Sequence, residues 1–173
     1  MTAVRALTAG DVDRYHALRQ RGLAEHPEAF TSSAGEEAVL AREKLAARLA
    51  PDRGRPHDVV LGAFDGDALV GLVGMSVDPR AKVRHRGRVF GMYVPRERVR
   101  RGIGGALVDA IIAHARRARE LDALVLTVTA SNDDACRLYE RHGFAAFGRE
   151  PGAVRVDGTP YDKLHMIRWL AAA

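Results

Sequence analysis

Cysteine is all but missing from this chain: Cys136 stands alone among 173 residues. A single thiol excludes an intramolecular disulfide and any Cys-rich zinc or iron–sulfur centre, and no metal site is expected. Long apolar runs are lacking too. The longest apolar stretch, Ala68–Val77, has ten residues, two of them glycine, and is too short to cross a bilayer. Asp11 and Asp13 interrupt the N-terminal region before a signal-peptide core can form, so the expectation is a soluble cytoplasmic protein with no membrane partner. There is no Gly-Lys dipeptide, hence no P-loop, and Leu107 stands where a dinucleotide fingerprint needs glycine. No repeat, low-complexity tract or linker is visible, which suits a single domain over 1–173.

What is present is a globular composition, 47% hydrophobic and 28% charged, with enough apolar residues for a real core. The net charge of +5 is unevenly spread. Between Arg80 and Arg101 nine basic residues meet one acid, Glu97, a local +8 that leaves the rest of the chain at −3. Such a field attracts polyanions. One reading is a nucleic-acid-binding module built on 80–101, yet no helix-turn-helix, zinc-finger or RNA-binding aromatic signature accompanies it, so nucleic acid is not the expected partner. The run also holds Val83, Val89, Phe90, Met92, Tyr93 and Val94, so part of it reads as a strand, and a phosphorylated small molecule is the better rival.

Turn residues and hydrophobic period divide the chain. Val4–Leu7 reads as a strand and Asp11–Glu25 as a helix ended by His26-Pro27. A second helix is expected over Gly35–Leu49, before the turn cluster Pro51-Asp52-Arg53-Gly54. Val59–Phe64 and Ala68–Val77 flank Asp65-Gly66-Asp67, a hairpin signal, and Arg88–Val94 supplies a third strand. Ile103–Glu120 carries Ile103, Ala106, Leu107, Ala110, Ile111, His114 and Ala118 on one helical stripe. Leu124–Thr129 reads as a strand, Asn132–His142 as a helix stopped by Gly143, and Phe144–Gly148 and Tyr161–Leu170 as two closing strands about Asp157-Gly158. The expected architecture is α/β: a mixed, mostly antiparallel central sheet of about seven strands flanked by about four helices.

Arg100-Arg101-Gly102-Ile103-Gly104-Gly105 lies between a strand and an amphipathic helix. Glycines there let a ligand approach the backbone, the unbonded amides of the first turn point at it, and the arginines add charge-assisted bonds. A tight turn without a ligand would use the same glycines.

Met92-Tyr93-Val94-Pro95 followed by Arg100-Arg101-Gly102-Ile103-Gly104-Gly105-Ala106-Leu107 resembles the acetyl-CoA-binding motif of the GNAT family of N-acetyltransferases. The run from Asn132 to Phe144 resembles that family's second hallmark, Asn-x-x-Ala-x-x-Leu-Tyr-x-x-x-Gly-Phe. The resemblance covers about Val59–Trp169. It implies acetyl-CoA as cosubstrate, with the backbone of Met92, Tyr93 and Val94 pairing with the pantetheine arm and the amides of Arg100, Arg101, Gly102, Ile103, Gly104 and Gly105 holding the pyrophosphate. It also implies a coenzyme contact for Asn132, a general-acid role for Tyr139, and an amine of a small molecule or polypeptide as acceptor; it allows a homodimer. One departure is Val99, where many members carry Gln or Arg. A second is Thr127, where some members carry a glutamate base. Glu36, Glu37, Glu150 and Asp162 are the remaining carboxylate candidates, and none is assigned as base.

Each of these residues has a plainer reading. Tyr139 packs equally well as a core residue, Asn132 as an N-cap with Ser131-x-x-Asp134 as a capping box, and His114 and His142 as helix-surface residues. A non-catalytic acyl-CoA-binding regulatory domain is a further alternative to the enzyme. The chemistry sets a definite demand on an enzyme: an alkylamine with pKa about 10.4 is only about 0.04% neutral at pH 7, a deficit of roughly 4.6 kcal/mol.

Overall fold

The first turn of the chain is organised by one carboxylate. In the computed structural model, which describes residues 2–50 and 55–170, Asp11 accepts from the Thr8 amide at 2.9 Å and hydroxyl at 3.2 Å, and from both terminal nitrogens of Arg5 at 2.8 Å. This fixes the passage from β1 (Thr2–Ala6) into α1 (Val12–Glu25). Proline 27 lacks the N–H that another turn would need, and α1 stops at His26 as expected.

The expected second helix is two helices, α2 (Ala34–Ala38) and α3 (Arg42–Leu49). Helix propensity would carry the chain through Val39–Ala41, but tertiary anchors override it. Glu37 is held by Arg19, Arg42 reaches Asp13, and Leu45 and Leu49 are buried. Ala41 takes extended backbone between these anchors. The described residues thus form five α-helices. The Pro51-Asp52-Arg53-Gly54 turn lies outside the described residues.

β2 (Val59–Asp65), β3 (Ala68–Val77) and β4 (Arg86–Tyr93) form an antiparallel meander. α4 (Ile103–Arg117) crosses to β5 (Ala123–Thr129), which lies parallel to β4, and α5 (Asp133–Arg141) leads to the hairpin β6 (Ala145–Val156) and β7 (Thr159–Trp169). The sheet order is β1-β2-β3-β4-β5-β7-β6, and β4–β5 is its parallel pair. β6 is much longer than Phe144–Gly148 because Asp157 and Gly158 both adopt positive φ, 47° and 82°. That geometry turns a hairpin in two residues and keeps the strands paired up to Val156↔Thr159.

Alternation along the strands serves two cores. Leu61, Val73 and Val89 face α4, where Leu107, Val108 and Ile111 are fully buried. Val60, Phe64, Leu72 and Tyr93 face α1 and α3, meeting Tyr15, Leu18 and Leu45. The central strands are therefore covered on both faces, whereas β6 at the edge is largely exposed, and a ligand reaches the central strands along the sheet plane or between the helices.

Candidate active site

The opening is in the plane of the sheet. β4 pairs with β5 only at Arg86↔Ala123, Gly87↔Leu124 and Arg88↔Val125. Beyond Arg88 the strands part, because β4 gains an extra residue. The β3–β4 register jumps from Gly74↔Phe90 to Leu72↔Tyr93, and Gly91 sits at φ 66°, so the strand bulges there. From Val89 to Tyr93 the β5-facing backbone groups of β4 have no strand partner, an edge exposed inside the fold. Side chains sort by face after the bulge. Met92 and Val94 pack on the α4 side, whereas Tyr93 turns to the other core and donates from its hydroxyl to Glu25 at 2.8 Å. Burial, first, and then this bond push the Tyr93 phenol well above its ordinary pKa. Only the backbone of Tyr93 is therefore open to a ligand in the gap.

The N-terminus of α4 meets this edge. Gly102 caps the helix at φ 77°, an L-unfavourable conformation that glycine accepts freely, and it supplies no side chain to the first turn. The amides of Ile103, Gly104 and Gly105 are left by helix geometry without intrahelical partners, and no side chain among the described residues caps them. Arg100 is also at positive φ, 63°, and Arg100 and Arg101 are both exposed. A Cβ on Gly104 would lie 3.2 Å from Leu138 and 3.5 Å from Met92, so α4, α5 and β4 converge at that glycine. A Cβ on Gly102 would meet nothing. Open amides, a helix dipole, two free-standing guanidinium groups and an unpaired strand edge suit an elongated ligand with phosphate at one end and amide groups along its arm.

Tyr139, next to Leu138 on α5, is 6% exposed and stacks edge-on against Phe144 with ring centroids 5.7 Å apart. Its ring belongs to the core, as the plainer reading held. Its hydroxyl makes no hydrogen bond within the described residues, yet it is not sealed: the one buried side-chain polar atom without a partner there is Arg168 Nε. Burial, reinforced by Cys136, pushes the phenol above its ordinary pKa. Asn132 is the N-cap of α5, accepting from the Ala135 amide at 3.1 Å, in place of the Ser131 capping box weighed from sequence. Its side-chain amide nitrogen makes no hydrogen bond among the described residues. His142 bonds the Leu138 carbonyl at 2.8 Å and lies 3.4 Å from Asp109, tying α5 to α4.

On the opposite face of the sheet a cavity of about 770 Å³ runs from α1–α3 over β2–β4 to β5 and β7. Gly91 and Thr127 line it, which joins it to the β4–β5 opening. Its walls include Arg19, Glu37, Arg88, Phe90 and Lys163. Glu37 is buried and accepts from Arg19 Nε at 3.1 Å and Nη2 at 2.8 Å. Burial pushes its pKa up, but Arg19 and Arg48 outweigh this and hold it below the ordinary carboxylate value. The other carboxylate candidates are also engaged: Glu36 caps Ser33, Glu150 pairs with His165 at 2.8 Å, and Asp162 holds Arg149 and the Gly152 amide. Sequence reading missed Arg19, Arg88, Phe90 and Lys163; the one local signal was Arg88 and Phe90 at i, i+2 on one strand. The basic run 80–101 is divided, with Lys82, Arg84, Arg86 and Arg96 exposed and the others differently placed. Arg80 pairs with Asp78, Arg98 with Asp65, Arg88 enters the cavity and Arg100 and Arg101 flank α4.

The model of the acetyltransferase (GNAT) family matches residues 18–144, and the chain belongs to that family. Mycothiol acetyltransferase of Propionibacterium freudenreichii subsp. shermanii is 28% identical over 142 residues, covering 82% of this chain; the chain spans 42% of that protein's length. A GNAT-family acetyltransferase from Streptococcus pneumoniae superposes with a TM-score of 0.90 at 23% identity, over 99% of this chain and all of the other. A Salmonella typhimurium structure that holds its cofactor acetyl-CoA does so at 0.84 and 18% identity, covering 99% and 95%. At these identities the two structures establish the fold. Among the described residues no helix is long and apolar enough to cross a membrane, and no cluster of metal-ligand type is found.

Proposed function

We propose that this chain, as one domain over 1–173, is an acetyl-CoA-dependent N-acetyltransferase acting on an amine in the cytoplasm, where the lone thiol stays reduced. The observation that carries the proposal is the unpaired β4 edge at Val89–Tyr93 opening beside the uncapped N-terminus of α4, in a chain of this family. The residues present fit the coenzyme. The amides of Gly102, Ile103, Gly104 and Gly105 would hold its pyrophosphate, with Arg100 and Arg101 beside them, and the backbone of Met92, Tyr93 and Val94 would pair with its arm. The side-chain nitrogen of Asn132 lies at the head of α5 for a further contact. The coenzyme supplies an activated thioester.

The chain's own groups then have three tasks. A backbone N–H at the end of β4 stabilises the developing oxyanion. Tyr139 offers its proton to the leaving sulfur. Because a thiol has a pKa of about 8.5 and a phenol about 10, full transfer is uphill by roughly 2 kcal/mol before burial is added. Tyr139 therefore acts by hydrogen bonding as charge develops, with the net proton coming from the acylated amine. The amine must arrive neutral, and the cations lining the cavity disfavour its protonated form.

Thermal unfolding with and without acetyl-CoA tests this, with phosphate and ATP as controls. At about 100 times Kd, selective binding adds roughly 2.7 kcal/mol, a Tm rise of about 5–10 °C for a chain of this size. A shift specific to acetyl-CoA, followed by thiol release with an amine, is the expected result. Stable protein without a shift, carrying no coenzyme from purification, would sink the proposal.

A further inference from the structure

The cavity has a charge that its acceptor must match. Among the described residues six cationic side chains line it (Arg19, Lys44, Arg48, Arg55, Arg88 and Lys163), against the carboxylates of Glu37 and Asp58, a net of +4. The two carboxylates are already committed. Glu37 serves Arg19 at 2.8 Å and Arg48 at 3.6 Å, while Asp58 serves the Val77 amide at 2.8 Å and Arg55 at 3.7 Å. Lys163 is 4% exposed and gives its three hydrogens to the carbonyls of Glu28 and Ala29 and the hydroxyl of Thr129, at 2.8, 3.1 and 2.9 Å. Burial lowers the Lys163 pKa, whereas three acceptors in reach of its nitrogen, none of them charged, favour the ammonium. Arg88 on β4 and Lys44 on α3 have no carboxylate partner among the described residues and remain exposed to the cavity.

We propose that the acceptor is a small amine that also carries an anionic group, a carboxylate or phosphate, held by Arg88 and Lys44 while its amine lies at the β4–β5 opening. This rests on the acetyltransferase reading above. A volume of about 770 Å³ is that of a small-molecule site. Phe90, 41% exposed, Phe30 and Tyr15 give it apolar surface for the body of such a molecule. A polyamine or a lysine-rich peptide would instead set like charges against the lining, and an uncharged amine would leave Arg88 and Lys44 unused.

The experiment separates the two readings. Acetyl-CoA binding is measured first by thermal shift. Thiol release is then followed with matched pairs: amino acids against their carboxamides in one arm, aminoalkyl phosphates against aminoalcohols in the other, with polyamines added. The expected result is that, in at least one arm, the anionic member has a kcat/KM higher by roughly tenfold or more, the ratio that about 1.4 kcal/mol of selective ion pairing gives. The arm that responds identifies the anion. Arg88→Gln and Lys44→Gln, two exposed positions whose folding is checked by Tm, should each reduce that ratio severalfold. Neutral members or polyamines equal to or better than the anionic members would overturn the inference, as would bound coenzyme with no turnover of any member. A preference indifferent to both substitutions would overturn the assignment to Arg88 and Lys44. Failure of acetyl-CoA to bind would instead remove the acetyltransferase reading itself.

Discussion

Tyr139 has its ring in the core and its hydroxyl free of any partner among the described residues, so the two parts can be separated by one oxygen atom. Tyr139→Phe should keep the edge contact with Phe144 and the fold, lower kcat by tenfold or more, and leave acetyl-CoA affinity within about twofold. Steady-state kinetics with a binding isotherm checks this; undiminished kcat with chemistry limiting would remove the phenol from the reaction. Its raised pKa has a sign: the proton stays on to higher pH than in free tyrosine. The pH–rate profile should therefore rise as the amine deprotonates and show no fall due to Tyr139 below about pH 10. Asp11 gives a second residue-scale prediction. Arg5, chiefly, and Thr8 depress its pKa in the folded chain, so its contribution is complete above the unfolded carboxylate value of about 3.9 and is lost as pH falls through the lowered folded value. Asp11→Ala at neutral pH should cost about 2 kcal/mol in urea unfolding, since it strands Arg5 and uncaps Thr8.

At the scale of elements, the start of α4 offers two glycines with different constraints. Gly102→Ala meets no neighbour but must adopt φ 77°, a strain of about 1 kcal/mol, and places a methyl group beside the open amides. Gly104→Val presses on Leu138 at 3.2 Å and on Met92. Both substitutions should weaken acetyl-CoA binding in a titration, Gly104→Val more strongly and with a loss of Tm; full affinity in both would mean that the phosphate site lies elsewhere. These elements were largely legible in the sequence because their signals are local. A 3.6-residue stripe, Asp65-Gly66-Asp67 and Gly143 each act within a few residues. The break between α2 and α3 was not legible, because Arg19 and Asp13 impose it from α1. Nor was the full length of β6, which depends on pairing with β7. The motif residues at the ends of β4, α4 and α5 were readable in order, but the cavity was not. Its lining comes from α1, α2 and α3, from the five strands β2, β3, β4, β5 and β7 and from the loops 29–32 and 55–58, and no spacing rule gathers Lys44, Arg88 and Lys163.

For the whole molecule, the net charge of +5 says less than its arrangement. The basic run spreads over a cavity, a helix terminus and surface ion pairs, so acetyl-CoA affinity should fall only gently with added salt, in contrast to the steep dependence of a polyanion-binding face. Isothermal titration at low and physiological salt checks this. The sheet itself has a line of weakness. Between the four strands β1–β4 and the three strands β5–β7, only three residue pairs join β4 to β5; beyond them the halves share the core of Leu107, Leu124 and Leu126 on one face and, on the other, the bonds from Lys163 and Thr129 to the Glu28 and Ala29 carbonyls. A molecule whose amide groups lie along Val89–Tyr93 supplies the missing rungs of that ladder, acting as a removable strand. Occupancy would then slow the unzipping of the two half-sheets, and hydrogen exchange should show protection spreading on ligand binding from β4 into β5, well beyond the atoms that the ligand touches.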